Sequence, residues 1–358
     1  MKSYISVFIF LFLIFLSIYF LKVFILPLLI ALLIFSVVCA LMDRLMLLSA
    51  GGIRIPNWLS TVAVVGIVGL SLVSLLSLLV DQVERAISIA PQYVARAQAL
   101  LSANAGMLDP KIADMVSDAL RGFHVRDYIS HVTDSARQVL IAFSIVILYL
   151  IFLFSERPFI EMKLRRAFHD DRKIAQFKNI VSNVRRGVHR YVVVKSIISL
   201  TTGFLVYLYM FMVGLQFSEV IGITTVIANF VPTAGTIVVS TLAIAAGSIQ
   251  LDHLNAAILF SIGIVVIQFV MGNIIEPIMM GQSLRLSMFG IVLSLALWGT
   301  LWGVAGMFLA VPIMIATIVV CSHVRDWNSV AVILSRDGQI PVTGNVQVGE
   351  CNGQKSAS

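Results

Sequence analysis

The sequence predicts an all-α, polytopic membrane protein with about eight apolar segments, two of them broken or re-entrant. Three observations predict it. Of the 358 residues, 59% are hydrophobic and only 12% charged, with a mean hydropathy of +1.00; soluble domains are roughly half apolar. The apolar residues gather into runs close to the about 20 residues that one helix needs to cross a bilayer core. Two of these runs are too long for a single crossing and carry proline and glycine inside them.

In order, the runs lie at 4–21, 24–42, 59–80, 138–155, 191–213, 217–248, 254–275 and 287–321. The first follows Lys2, yet it is too long for a signal-peptide core and a second run begins at once, so it is expected to remain as a span. Lys22 resists burial and Pro27 suits the first turn of a helix, which together predict a tight hairpin between the first two spans. The chain thereby divides into a three-span segment (1–80), an amphipathic helical outer segment (81–137), a fourth span (138–155), a basic segment (156–190), a four-segment core (191–322) and a polar tail (323–358).

Charge sets the expected orientation. Segment 156–190 carries ten basic residues against four acidic ones, whereas 81–137 carries six against seven. Lysine and arginine gather on the cytoplasmic side, so the basic segment and the N-terminus are expected inside and 81–137 outside. The net charge of +7 is explained by these loops, and nucleic acid is not an expected partner. In the outer segment Val83, Ile87, Ala90, Val94, Ala97 and Leu101 form a helical stripe that Pro91 kinks, and Asp109-Pro110 opens a second helix. Such a stripe suits packing within the chain, assembly between subunits, or the membrane surface. In the basic segment Ile174, Phe177, Val181, Val184 and Val188 form a further apolar face, flanked by arginines that suit anionic headgroups or a solvated helix entering the fifth span. Cys39, Cys321 and Cys351 are scattered, with no metal-ligand spacing, so neither a metal nor a cofactor is expected.

The run 217–248 would be nearly 50 Å long as one helix, against a core of roughly 30 Å. Within it "NFVPTAG" places Pro232 and Gly235 beside Asn229. A broken or re-entrant helix is expected there. The last run contains Gly299, Gly303, Gly306 and Pro312, a spacing that allows close packing of neighbouring helices or a hinge. Between the two stands "GNIIEPIMMGQSLRLS", with Glu276 and Pro277. Acidic residues in apolar spans are rare and usually functional. Helical spacing puts Gln268, Gly272 and Asn273 on the face of Glu276. A wet path and a backbone-capping or Arg285-paired carboxylate both fit this pattern. Glu219, in the first turn of the sixth segment, suits a helix N-terminus or a ligand, and Lys195, one turn inside the fifth, is expected to snorkel.

Asn229, Pro232 and Gly235 in "NFVPTAG", Glu276, Pro277 and Gly281 in "IIEPIMMG", and the closing "GVAGMFLAVP" carry a resemblance to the autoinducer-2 exporter family of PerM-like permeases. The chain departs from the family at Thr236, Ser287 and Met288, where prolines are usual. The resemblance implies a bacterial inner-membrane protein, a homo-oligomer, whose relatives export a small signalling furanone or exchange sodium for protons. The expected function is transport of a small polar solute, such as an autoinducer-2-like molecule, with H+ or Na+ as driver. The expected path residues are Glu276, Pro277, Asn273, Gln268, Asn229, Pro232, Gly235 and Glu219. A Na+(Li+)/H+ antiporter, a non-transporting scaffold and a membrane-embedded enzyme are the alternatives. No phosphate loop, HExxH or GxSxG motif occurs.

Overall fold

The computed structural model describes residues 16–48 apart from 18, scattered residues between 66 and 99, and then 125–168, 170–251, 253–280, 286–324 and 327–336. Among these the regular elements are helices: α1 (Lys22–Leu48), α2 (Val125–Glu156), α3 (Ile160–Ala167), α4 (Asp171–Val213), α5 (Ser218–Ala228), α6 (Ala234–Gln250), α7 (Leu254–Phe269), α8 (Glu276–Met280), α9 (Met288–His323) and α10 (Asn328–Leu334). A π-helical turn, Val270–Ile275, joins α7 to α8. Most of the outer segment and the third apolar run, with the helix expected after Asp109, lie outside the described residues.

The first hairpin expectation is corrected. Between helical residues 19–20 and α1 stands one non-helical residue, Leu21, whose N–H donates to the Ser17 carbonyl while its own carbonyl accepts from Ile25. A hairpin between helices takes a loop of about two to five residues, so helical bonding instead continues through Lys22. Pro27 lies inside α1. α1 packs on α2 through Ala31, Val38 and Cys39 against Val146, Leu150 and Phe154.

The backbone of the fold is α4, 43 residues that start on an Asp170 N-cap, whose carboxylate accepts from Arg172 N–H, and end on Gly214 in the left-handed region. At ~1.5 Å per residue it is about 65 Å long, twice the thickness of a bilayer core. The basic segment is therefore mostly the extension of this helix beyond the membrane. The end that carries residues 157–190 forms the basic face, and the Gly214 end the opposite face.

From the opposite face the chain enters as α5, turns at 229–233 and leaves as α6. Gln216 N–H donates to Gln250 Oε1 at 2.6 Å, and Gln250 Nε2 returns a bond to the Gln216 carbonyl at 3.3 Å. Both feet of the pair thus stand at one level, and α5–α6 is a re-entrant hairpin. α5 has 11 residues, about 16 Å of rise, half a crossing. Gly203 and Gly222 allow α4 and α5 to approach so closely that a Cβ on Gly203 would lie 2.7 Å from the Gly222 carbonyl oxygen.

α9 is a second hairpin, inserted from the basic face. Gly303, at φ 64 and ψ −144, reverses the chain. Ser294 Oγ donates to the Ala310 carbonyl at 2.8 Å, a contact that a straight helix would hold roughly 24 Å apart. The glycine spacing in this run therefore serves packing of the segment on itself. A Cβ on Gly306 would sit 1.9 Å from the Trp298 carbonyl oxygen. Pro312 is buried in the returning arm without ending it. The expected polar tail also begins as structure: α10 packs against α9, with Ala331 fully buried and Ser287 N–H bonded to the Leu334 carbonyl.

Candidate functional site

α4 and α7 run antiparallel, and their register fixes which side chains face each other. Tyr209 stacks on Phe260 with ring centroids 5.3 Å apart, and a Cβ on Gly263 would meet the Tyr209 hydroxyl. Continuing along α7 through the π-turn brings Glu276 to Lys195. The Lys195 ammonium donates to Glu276 Oε1 at 2.6 Å, and the two side chains are 2% and 19% exposed. Lys195 does not snorkel. A buried ammonium beside a carboxylate one helix away is held by that charge, since an unpaired one would be heavily penalised. Arg285, the partner the sequence suggests, lies outside the described residues.

The same face of α4 carries Tyr191 one turn below Lys195 and Ser199 one turn above it, both buried. Neither the Tyr191 hydroxyl nor Ser199 Oγ has a hydrogen-bond partner among the described residues. Thr202 and Thr225, by contrast, bond back to Ile198 and Ile221 carbonyls one turn earlier in their own helices. Tyr191, Lys195 and Ser199 are the members of the site that sequence reading missed. Their signal was the four-residue spacing of polar groups in an otherwise apolar stretch.

The tip of the first hairpin lies at the same level. Gly222 abuts Tyr207, and Gly203 abuts Val226; one more turn of this antiparallel register brings Asn229 level with Ser199. Asn229 is buried and ends α5. The turn is tight: Val231 N–H bonds to the Ala228 carbonyl, Ala234 N–H to the Pro232 carbonyl, and Gly235 N–H to the Val231 carbonyl. Thr233 is held at φ 60, a conformation costing about 1–3 kcal/mol that persists where the surroundings enforce it. Only a hydrogen fits at Gly235, where a Cβ would lie 1.7 Å from the Ala228 carbonyl oxygen. Phe230 packs on Phe308 of α9, centroids 5.0 Å apart, so the two hairpins meet.

Of the remaining sequence candidates, Gln268 is buried, whereas Asn273 is exposed and donates to the Phe269 carbonyl at 3.3 Å. The expectation that Asn273 shares the Glu276 environment fails because the π-turn holds more residues per turn than an α-helix and rotates the residues beyond it. Pro277 is exposed beside Glu276. Glu219 stands in the first turn of α5 at the opposite face, about 15 Å along the helix from Asn229, and is not part of this cluster. Among the described residues no cluster of three His, Cys, Asp or Glu could hold a metal ion.

At the opposite face a polar clamp joins the hairpin feet to the outer segment. Tyr93 OH donates to Gln216 Oε1 at 2.8 Å, and its ring packs on Phe217, 5.1 Å between centroids. Partial burial raises the Tyr93 phenol above its ordinary range, with Arg96 opposing. The phenol thus stays a donor at neutral pH. At Tyr93 the outer segment packs on the α4–α5 loop of its own chain.

Paired hairpins inserted from opposite faces, with tips that meet about one helical turn from a buried ion pair, are the architecture expected of a multi-pass membrane protein of the transporter class. The comparison with known proteins agrees: the family model of AI-2E family transporters matches residues 8–326, and the chain belongs to that family. A protein named as a transport protein from Borreliella burgdorferi is 26% identical over 191 residues, 53% of this chain and 52% of that protein. The chain thus spans about half the length of this relative.

Proposed function

We propose that the protein moves a small polar solute across a bacterial inner membrane, by displacement of the α5–α6 and α9 hairpins around Lys195, Glu276, Ser199 and Asn229. The observation that carries this reading is the position of the Lys195–Glu276 pair. It stands buried inside the apolar stretch of α4, about 8 Å along the helix from Arg190, and the tips of two broken segments come within about one helical turn of its level. A charge pair there is costly to build and gives a solute both a donor and an acceptor.

Glu276 is the group through which a gradient couples. Proton or cation binding to its carboxylate competes with Lys195, so H+ or Na+ is the candidate driver, and exchange of Na+ or Li+ for H+ is the second reading the pair supports. The basic face is assigned to the cytoplasm from the ten basic residues of 156–190.

Purified protein in sealed vesicles tests the proposal. Solute flux supports it; product formation points to an enzyme; neither leaves a scaffold. Glu276→Gln leaves the Lys195 ammonium without its counter-charge and is expected to lower Tm in detergent, while flux through the folded fraction loses its pH dependence; flux that stays pH-responsive in this variant would remove Glu276 from the mechanism.

A further inference from the structure

The hydrogen bonding around Lys195 is lopsided. The ammonium carries three donors, and among the described residues one is used, on Glu276 Oε1. Tyr191 OH and Ser199 Oγ, each within one turn of Lys195, are buried without partners among the described residues; their residues are 3% and 0% exposed. The ammonium only donates, whereas each hydroxyl can donate or accept, and the one charged acceptor that faces Lys195 among the described residues is the Glu276 carboxylate. An unfilled polar group in a dry interior costs about 1–3 kcal/mol, so this face of α4, with its unfilled hydroxyls and one positive charge, is suited to a polar guest that sets a negative charge against the ammonium. A polyol fills the hydroxyls but brings no charge to set against the ammonium. A carboxylate brings acceptors alone.

We propose that the Tyr191–Lys195–Ser199 face of α4 binds the head group of a small organic monoanion, which takes Lys195 from Glu276 while Glu276 takes up one proton. This rests on the transport reading and names its substrate class. Charge balances: the empty site holds one ammonium and one carboxylate; the loaded site holds the ammonium, the guest carboxylate and a neutral Glu276. The proton comes from water, an O–H bond forms at Glu276, and the Lys195 hydrogen bond passes from one carboxylate to the other. A guest anion without the proton would leave Glu276 as a part-buried carboxylate with no ion partner among the described residues, a costly arrangement. α8 packs on α4 and on the π-turn. The π-turn holds no titratable side chain, and α4 brings Lys195 and Tyr191 to the carboxylate.

The experiment is calorimetric titration of the full chain in detergent with pyruvate as probe, across about pH 6 to 8 and in buffers of different ionisation enthalpy. One proton is taken up per pyruvate, so affinity falls about tenfold for each unit of pH rise. Erythritol and glycine, the neutral and zwitterionic comparators, bind more weakly. Tyr191→Phe and Ser199→Ala each weaken pyruvate roughly 3- to 10-fold, as loss of one hydrogen bond does. The double variant Lys195→Met with Glu276→Gln keeps the interior neutral, stays folded and loses pyruvate binding. Pyruvate binding that ignores pH, erythritol binding as tightly as pyruvate, or no binding of pyruvate overturns the inference. Vesicle flux of erythritol without pyruvate binding removes the anion and leaves transport standing. Pyruvate binding with proton uptake but no flux of any solute removes transport and leaves the anion site.

Discussion

Glu276 was legible in the sequence as a lone acid between apolar runs, because its cost at that depth demands a reason. Lys195 was not. Hydropathy reports how deep a residue lies and says nothing of a partner 81 positions away; only the α4–α7 register joins the two. The physical consequence is an asymmetry between single and double substitution. Lys195→Met alone strands the carboxylate and is expected to cost roughly 3–5 kcal/mol, read as a large fall in Tm in detergent. Adding Glu276→Gln is expected to restore most of that loss, because two neutral side chains pack where two charges did. A double variant no more stable than the single one would show that the pair is not coupled.

The helices were legible where proline marked a break in an overlong run, as at Pro232. The reversal at Gly303 was not, because glycines spaced for close approach read alike whether the neighbour is another helix or the other arm of the same one. The dihedral separates the two cases: Gly303 at φ 64 and ψ −144 occupies a region open essentially to glycine alone. Gly303→Ala is therefore expected to destabilise by about 1–3 kcal/mol. Gly235→Ala should do at least as much, since its Cβ would meet backbone at 1.7 Å. Gly272→Ala is the control, with nothing within 4 Å of the added carbon, and should melt like the parent. Comparison of the three Tm values checks this. The π-turn had no sequence signal, and it is what turned Asn273 away from Glu276.

Across the whole molecule the number of apolar runs was readable, but which of them cross was not, since a half-crossing and a full one share composition. The hydrogen bonds between Gln216 and Gln250 and between Ser294 and Ala310 decide it. Single cysteines placed at Glu219 and Gln250 are accordingly expected to react with an impermeant thiol reagent from one side of sealed vesicles, and cysteines at the exposed positions Asp171 and Arg336 from the other. Labelling of Glu219 and Gln250 from different sides would rule out the first hairpin. The meeting of Phe230 with Phe308 carries one more consequence. Each ring comes from a hairpin rooted at a different face, so on the transport reading the two sides are divided by a single shared plug rather than by two independent doors. Neither hairpin can withdraw without loosening the barrier for both compartments, and a cycle free of leakage has to close behind one before it releases the other.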